Sequence, residues 1–367
     1  MRGNLEASSQ LAPPMPNPYL SIVAVSRNDD HGGQMHARMC KFVEGVLYWT
    51  RLYDWDAELI LVDWNPPADR PPLAEALPQP GPDDRLTVRY ITVPPELHNA
   101  YRLSDVLGLF QMTGKNVGIR RARGQYILCT NVDVIFSKHL AEWLGQKQLE
   151  PGYVYRANRA DVPADMVDAP LDNFDGLAWP RALRVLGKNG RYPYFTGSVP
   201  SWLFKKKDWY RTLLLNLIHG WHKRYYHEYK YSEVDSKTSL LDTMACGDFK
   251  LMSKADWESI EGYMEADLYS LHIDSLGLGM AVAKGIEQKI LPGEQVIFHL
   301  DHANSWEALD DYERLTFTAK KPSLAYSDVW QAVKKMVETG VVPSLNGPDW
   351  GYAQHDLPEV VQNERYA

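Results

Sequence analysis

The sequence predicts an α/β fold: a mixed, mostly parallel sheet flanked by helices in a single domain, with a helical extension at the C-terminus. Three observations point to it. Leu20-Ser-Ile-Val-Ala-Val25 is apolar and β-rich, and a polar, glycine-ended loop and a helical stretch follow it. Glu58-Leu-Ile-Leu-Val-Asp63 is a second run of this kind. Lys115–Ser137 reads as a short helix running into a third, Tyr126–Cys129, which stops abruptly at Thr130-Asn131-Val132-Asp133. Short, nearly continuous apolar runs separated by helices are the pattern of parallel strands buried on both faces.

Composition bounds the class. The chain has 367 residues, 45% hydrophobic and 23% charged, enough for one large domain or two closely packed ones. A net charge of −8 and a pI of about 5.8 argue against a nucleic-acid partner. Cys40, Cys129 and Cys246 are widely spaced with no CxxC, which fits reduced thiols used as core filler and a cytoplasmic location. No run of 18 apolar residues occurs, so no transmembrane helix is expected. Residues 1–18 have no apolar h-region and are rich in Ser, Pro and Asn, the composition of a disordered lead-in rather than a secretory signal. The 12 Trp and 21 Tyr suit stacking on sugar rings, although core packing accounts for most of them.

In chain order, the first strand leads into Ser26-Arg27-Asn28-Asp-Asp-His-Gly-Gly33 and then a helix over about Gln34–Arg51. Strand, polar loop and helix open a nucleotide-binding βα unit. The loop has neither G-x-G-x-x-G nor the P-loop pattern, which argues against a dinucleotide enzyme or an ATPase. The second strand places Asp63 at its carboxyl end, and Pro66 and Pro67 stop it. Proline-rich surface loop follows over 66–84, then a third strand, Leu86–Val93. A loop with a short helix, 98–114, delivers Lys115 and Asn116. Gly118 and Ala122 share one helix face with almost no side chain, so this helix is expected to lie close on the sheet. Gly124 is expected at the helix C-terminus with φ > 0. In open α/β sheets ligands bind outside the carboxyl ends of strands. A carboxylate placed there, Asp133, can hold a divalent cation against a phosphate, or can simply be solvated.

Farther on, Leu140–Gln148 reads as a short helix and Gly152–Arg156 as a strand. Residues 157–200 read as loop-rich, with Asp161, Asp165, Asp168, Asp172 and Asp175 as solvated charges, since Ca²⁺-loop spacing is absent. Residues 201–230 are basic, aromatic and partly amphipathic: a peripheral contact at the inner membrane face, an acceptor-binding element, or a helix with one apolar and one wet face. A strand after Gly247 ends in Ser253, which caps a helix with Asp256 in a capping-box arrangement. His272-Ile-Asp274 opens a small-residue helix, Ser275–Lys284, closed by Gly285. Val296-Ile-Phe-His299 is a strand leading into an H-x-x-H, His299 and His302, whose imidazoles suit Mn²⁺-like ions. No H-E-x-x-H accompanies it, against a zinc hydrolase. The remainder reads as helices plus a polar tail, the clearest helix being Ser327–Gly340 with Ser327 as its cap.

The stretch K-N-x-G-x-x-x-A-x-G-x-Y-[apolar]3-x, Lys115 to Cys129, leading into Asn131-Val132-Asp133, resembles the core of GT-A-fold (Rossmann-like) glycosyltransferases, similar to family 2. There it runs into a DxD motif whose second acid binds Mn²⁺ or Mg²⁺ on the donor diphosphate. Asp133 holds that place here and Asn131 replaces the first acid. The segment Gly247–Tyr263 followed by Ile273-Asp274 resembles the C-terminal half of GT-A galactosyltransferases, where an E-D pair supplies the catalytic base. Asp274 falls on the base, and Ile273 replaces the Glu. Their metal-ligating M-x-x-H turn matches His299 and His302.

The resemblance spans about 19–306. It implies a nucleotide-sugar-binding half (19–137), an acceptor-binding and catalytic half (138–310), and a C-terminal extension (311–367). It implies donor contacts from Ser26, Arg27, Asn28, Asp63, Lys115, Asn116, Asn131, Val132 and Asp133. A metal, Mn²⁺ or Mg²⁺, is expected on Asp133, His299 and His302. The acceptor is expected at Asp248, Phe249 and Trp306, with Asp274 as base and Asp248 beside it. The partners expected are a UDP- or GDP-linked sugar and a saccharide or other hydroxyl acceptor. Two alternatives stand beside this: a nucleotidyltransferase, which usually carries a Gly-rich, Lys/Arg-bearing first loop, and an inactive nucleotide-sugar-binding protein of the same fold.

Overall fold

The computed structural model describes residues 17–187, 190–193, 241–302 and 321–366. The 201–230 stretch and Trp306 lie outside them. The first strands and helices are β1 (Leu20–Ser26), α1 (Met35–Tyr53), β2 (Ala57–Trp64), α2 (Leu73–Ala76), β3 (Thr87–Val93), α3 (Pro95–His98), α4 (Gln111–Arg121) and β4 (Tyr126–Thr130). Next come β5 (Val134–Phe136), α5 (Lys138–Gly145), β6 (Tyr153–Arg156), β7 (Asn158–Val162), α6 (Phe174–Ala178), β8 (Arg184–Gly187) and β9 (Gly190–Pro193). The remainder is β10 (Phe249–Ser253), α7 (Lys254–Ser259), α8 (Ile273–Ala283), β11 (Glu287–Ile290), β12 (Val296–Leu300), α9 (Tyr326–Thr339) and β13 (Glu359–Gln362).

Among the described residues the main sheet has eight strands in the order β11-β6-β10-β4-β1-β2-β3-β13. The four central strands, β4-β1-β2-β3, are parallel and almost wholly buried; the near-continuous apolar runs of β1, β2 and β4 demand this, while β3 alternates. Alternate side chains feed two cores. Ile22, Ala24, Leu59 and Leu61 pack with Met39, Phe42, Val43 and Val46 of α1. Val23, Val25, Ile60 and Val62 pack with Val117 and Ile119 of α4 and with residues of α8 and α9. The sheet is thus covered on both faces, the mixed, mostly parallel architecture expected from sequence. No helix among the described residues is long and apolar enough to cross a membrane.

Gly118 explains how closely α4 lies: a Cβ there would sit 2.3 Å from Val23 Cγ1. Gly124 departs from expectation. The helix ends earlier, at Ala122, which is already extended, and Gly124 does not adopt positive φ. It is needed for close approach instead, because a Cβ would lie 2.6 Å from the Ser21 backbone nitrogen in β1. Ser253 accepts from the Asp256 N–H, as predicted. The cap of α9 is Ala325 rather than Ser327, which lies inside the first turn, while Gly340 closes the helix with φ 67.

Two segments carry more structure than their sequence signals. β10, from the second half of the chain, inserts antiparallel between β4 and β6, so both halves share one sheet. The C-terminal stretch taken for a polar tail contributes β13, antiparallel to β3, with Arg89 bridging Glu58 and Glu359. The region taken for loop also contains β7, β8 and β9, which join β12 and β5 in a second sheet, β5-β12-β7-β8-β9. A third core, including Ala160, Val162, Phe174 and Phe298, packs around it.

Candidate active site

The carboxyl ends of β1, β2 and β4 open along one edge of the main sheet. Ser26 and Asp63 end β1 and β2 as register partners, both buried. Asp63 Oδ2 accepts from the Leu73 N–H (2.9 Å), but among the described residues Asp63 Oδ1 and Ser26 Oγ have no hydrogen-bond partner. Burial raises the Asp63 pKa to about 6 against the opposing pull of the Leu73 N–H and Arg27. Arg27 Nη1 donates to Gly108 O (3.1 Å) and Asn28 Nδ2 to Pro71 O (2.9 Å), fixing the loop between them.

The chain leaves the main sheet after β4 and enters the second sheet at β5. Asp133 stands at that crossing. β12 lies beside β5, and the Leu300 N–H donates to Asp133 O (3.0 Å). His299 on β12 and His302 just beyond it therefore approach the same carboxylate. Their Nε2 atoms lie 3.7 and 3.6 Å from Asp133 Oδ2, ion-pair distances rather than hydrogen bonds. The ligand atoms of the three residues all fall within 4.8 Å of one another. Gly32 closes the first loop against this group: with φ 72, a Cβ there would sit 2.7 Å from His302 Nδ1. Burial alone would raise the Asp133 carboxyl, but His299 and His302 hold it well below the usual carboxylate range. Burial and Arg159 push His299 down, yet Asp133 and Asp161 outweigh them and lift it to about 9.

Asn131 joins this group to the rest of the edge. Its Nδ2 donates to Asp248 Oδ1 (2.7 Å), and its Oδ1 accepts from Lys115 Nζ (2.8 Å) and Gln111 Nε2 (2.9 Å). Asp248 Oδ2 accepts from Arg159 Nη1 (2.6 Å). Asp274 lies next to this pair, its Oδ2 3.0 Å from where a Gly247 Cβ would stand. It sits in the first turn of α8, where its Oδ1 accepts from the Ser275 N–H (2.8 Å). Among the described residues Asp274 has no salt bridge, whereas Asp248 is bound to a guanidinium.

Four expected contacts change, and one solvated charge proves buried. Phe249 is fully buried in the main core, edge-on to Phe136 at 6.4 Å, so its ring cannot meet an acceptor. Lys115 is fully buried and donates to Gly247 O (2.7 Å) as well as Asn131, so it braces the loops instead of facing a ligand. Asn116 is likewise buried: its amide donates to Tyr263 O and Glu265 Oε1 and accepts from the Tyr263 N–H. Val132 is buried in the core, leaving only its backbone to serve a donor. Asp161, taken as a solvated loop charge, is fully buried on β7 beside His299.

Three residues not expected at the site, Arg38, Arg159 and Asp161, belong to it. Arg38 Nη1 donates to Asp133 Oδ2 (3.2 Å), and Nη2 to His31 O and Gly33 O. Its signal was a charge on the apolar stripe Met35, Met39, Phe42, Val46 of α1. Arg159 and Asp161 stand two apart in the four-residue alternating run Arg159–Val162, a weak strand signal.

No family model and no curated protein matches this chain. Among solved structures, it is similar to a mannosyltransferase from Pyrobaculum calidifontis in complex with GDP-Man and Mn²⁺, at 12% identity over 94% of this chain and 71% of that one, with a TM-score of 0.39. It is also similar to the catalytic domain of Drosophila beta1,4-galactosyltransferase 7 in complex with xylobiose, at 8% identity over 84% of this chain and 82% of that one, with a TM-score of 0.33.

Proposed function

We propose that this protein transfers a sugar from a nucleoside diphosphate sugar, UDP- or GDP-linked, to a hydroxyl of a saccharide or other acceptor, with inversion. The observation that carries it is the meeting of Asp133, at the end of the β4 loop, with His299 and His302 from the far end of the chain, at the carboxyl edge of the parallel strands.

These residues fit a divalent cation. One carboxylate and two imidazoles suit Mn²⁺ or a similar ion. Among the described residues Asp133 Oδ1 and His302 Nδ1 are buried without hydrogen-bond partners, an unmet capacity that a bound ligand satisfies. When bound there, Mn²⁺ or Mg²⁺ neutralises charge on the leaving diphosphate. Ser26, Asp63 and the Arg27–Asn28 loop take the nucleoside, the partnerless Asp63 Oδ1 accepting a donor from it. Asp274 takes the proton of the acceptor hydroxyl as that oxygen bonds to the anomeric carbon and the bond to the diphosphate oxygen breaks. It is preferred to Asp248, because both carboxylate oxygens of Asp248 are already engaged, one by Arg159 and one by Asn131.

Turnover with a panel of UDP-, GDP- and dTDP-sugars, with and without EDTA, tests this. Release of the nucleoside diphosphate with transfer or hydrolysis of the sugar is the expected result. Pyrophosphate release would indicate a nucleotidyltransferase. Nucleotide binding without any turnover would leave an inactive binding protein.

A further inference from the structure

We propose that Asp161 is the positioning residue of the metal group: it holds His299 by Nδ1, so that Nε2 faces Asp133 and His302. The inference rests on the metal site proposed above and assigns a role to a residue outside that ligand set.

Three observations converge. First, Asp161 and His299 are direct register partners in the parallel pair β7–β12, so their side chains leave the sheet on the same face. Second, His299 Nδ1 lies 3.1 Å from Asp161 Oδ1, while its Nε2 lies on the Asp133 side, 3.7 Å from Oδ2. An ionised carboxylate only accepts, so Nδ1 carries the ring hydrogen at this contact, and Nε2 is the nitrogen that gives up its hydrogen to take a metal. A carboxylate on the remote nitrogen of a ligating histidine fixes both the tautomer and the ring plane. Third, Asp161 is itself held from behind. Arg159 Nε donates to Oδ1 (2.7 Å), and Arg184 Nε donates to Oδ2.

Those guanidinium groups also decide between two roles. Asp161, His299 and Asp301 form a second grouping with ligand atoms in range of a cation. Arg184 already bridges its two carboxylates, donating to Asp161 and, through Nη2, to Asp301 (2.9 Å). A cation there would have to displace guanidinium groups from both oxygens of Asp161, whereas Arg38 takes only Oδ2 of Asp133 and leaves Oδ1 without a hydrogen-bond partner among the described residues. Asp161 therefore works through His299 rather than as a ligand. Arg159 carries the same network onward to Asp248 (2.6 Å), so the posture of His299 and the position of Asp248 rest on one chain of ion pairs.

The test uses the full chain and reads metal binding, not turnover. Mn²⁺ affinity is measured by electron paramagnetic resonance for the native protein, Asp161→Asn and Asp161→Ala. Both variants are expected to bind about 10–100-fold more weakly, the usual effect of losing such a carboxylate. If either variant unfolds, the native protein still decides the matter. With ¹⁵N-histidine and ¹¹³Cd²⁺ in the site, coupling is expected from the Nε2 of His299, with Nδ1 carrying its hydrogen. Coupling through Nδ1, or native Mn²⁺ affinity in both folded variants, overturns the role of Asp161 and leaves the metal site standing. Failure of the native protein to bind Mn²⁺ or ¹¹³Cd²⁺ overturns both.

Discussion

Asp63→Asn should reveal a site that carries a stability cost for the sake of binding. In the folded protein the Asp63 carboxyl is buried, and its pKa rises from 3.8 to about 6. A group that binds its proton more tightly when folded contributes full stability below its unfolded pKa and loses it as pH rises through the folded value. Asp63 therefore weakens the fold progressively between about pH 4 and pH 6. At about 1.4 kcal/mol for each unit, the full penalty is about 3 kcal/mol, of which about 2 develops between pH 4.5 and pH 7.5. Asn keeps an acceptor for the Leu73 N–H and has no charge to bury. Urea unfolding of both proteins across this range should show the native chain losing about 2 kcal/mol relative to Asp63→Asn as pH rises. Isothermal calorimetry should show the reverse for function, with UDP or GDP binding weakened by about 1–3 kcal/mol where Asp63 Oδ1 meets the ligand. A stability difference that does not change with pH would refute the buried-carboxylate argument. Unchanged nucleotide affinity would remove Asp63 from the site.

Three further outcomes are expected. Asp274→Asn should fold and bind metal and nucleotide normally yet lose transfer by at least about a hundredfold, and near-normal turnover would move the base elsewhere. Asp133→Asn should abolish the difference in nucleotide affinity that EDTA makes in the native protein; a persisting EDTA effect, read by calorimetry, would place the metal on other residues. Gly124→Ala should lower stability by about 1–3 kcal/mol, because its Cβ meets the β1 backbone, and native-like urea unfolding would show that the two segments can separate at little cost.

What the sequence determined by itself was whatever local periodicity encodes. The unbroken apolar runs of β1, β2 and β4 marked parallel strands buried on both faces, and polar residues at their carboxyl ends marked the edge where Ser26, Asp63 and Asp133 lie. The Ser253 cap and the Gly340 stop were readable because each acts within one helical turn. The tertiary structure decided what depends on neighbours distant in the chain. Asp248 and Phe249 are adjacent in sequence, yet the pleat of β10 sends Phe249 into the core while Asp248 stays at the edge with Asn131 and Arg159. Gly124 looked like a helix terminator, and only the proximity of β1 shows that it is a point of contact. Asp161 looked like one acid among several in a loop. Its role arises from pairing across β7 and β12, whose register is set by which apolar faces find each other and not by any pattern around Asp161 itself.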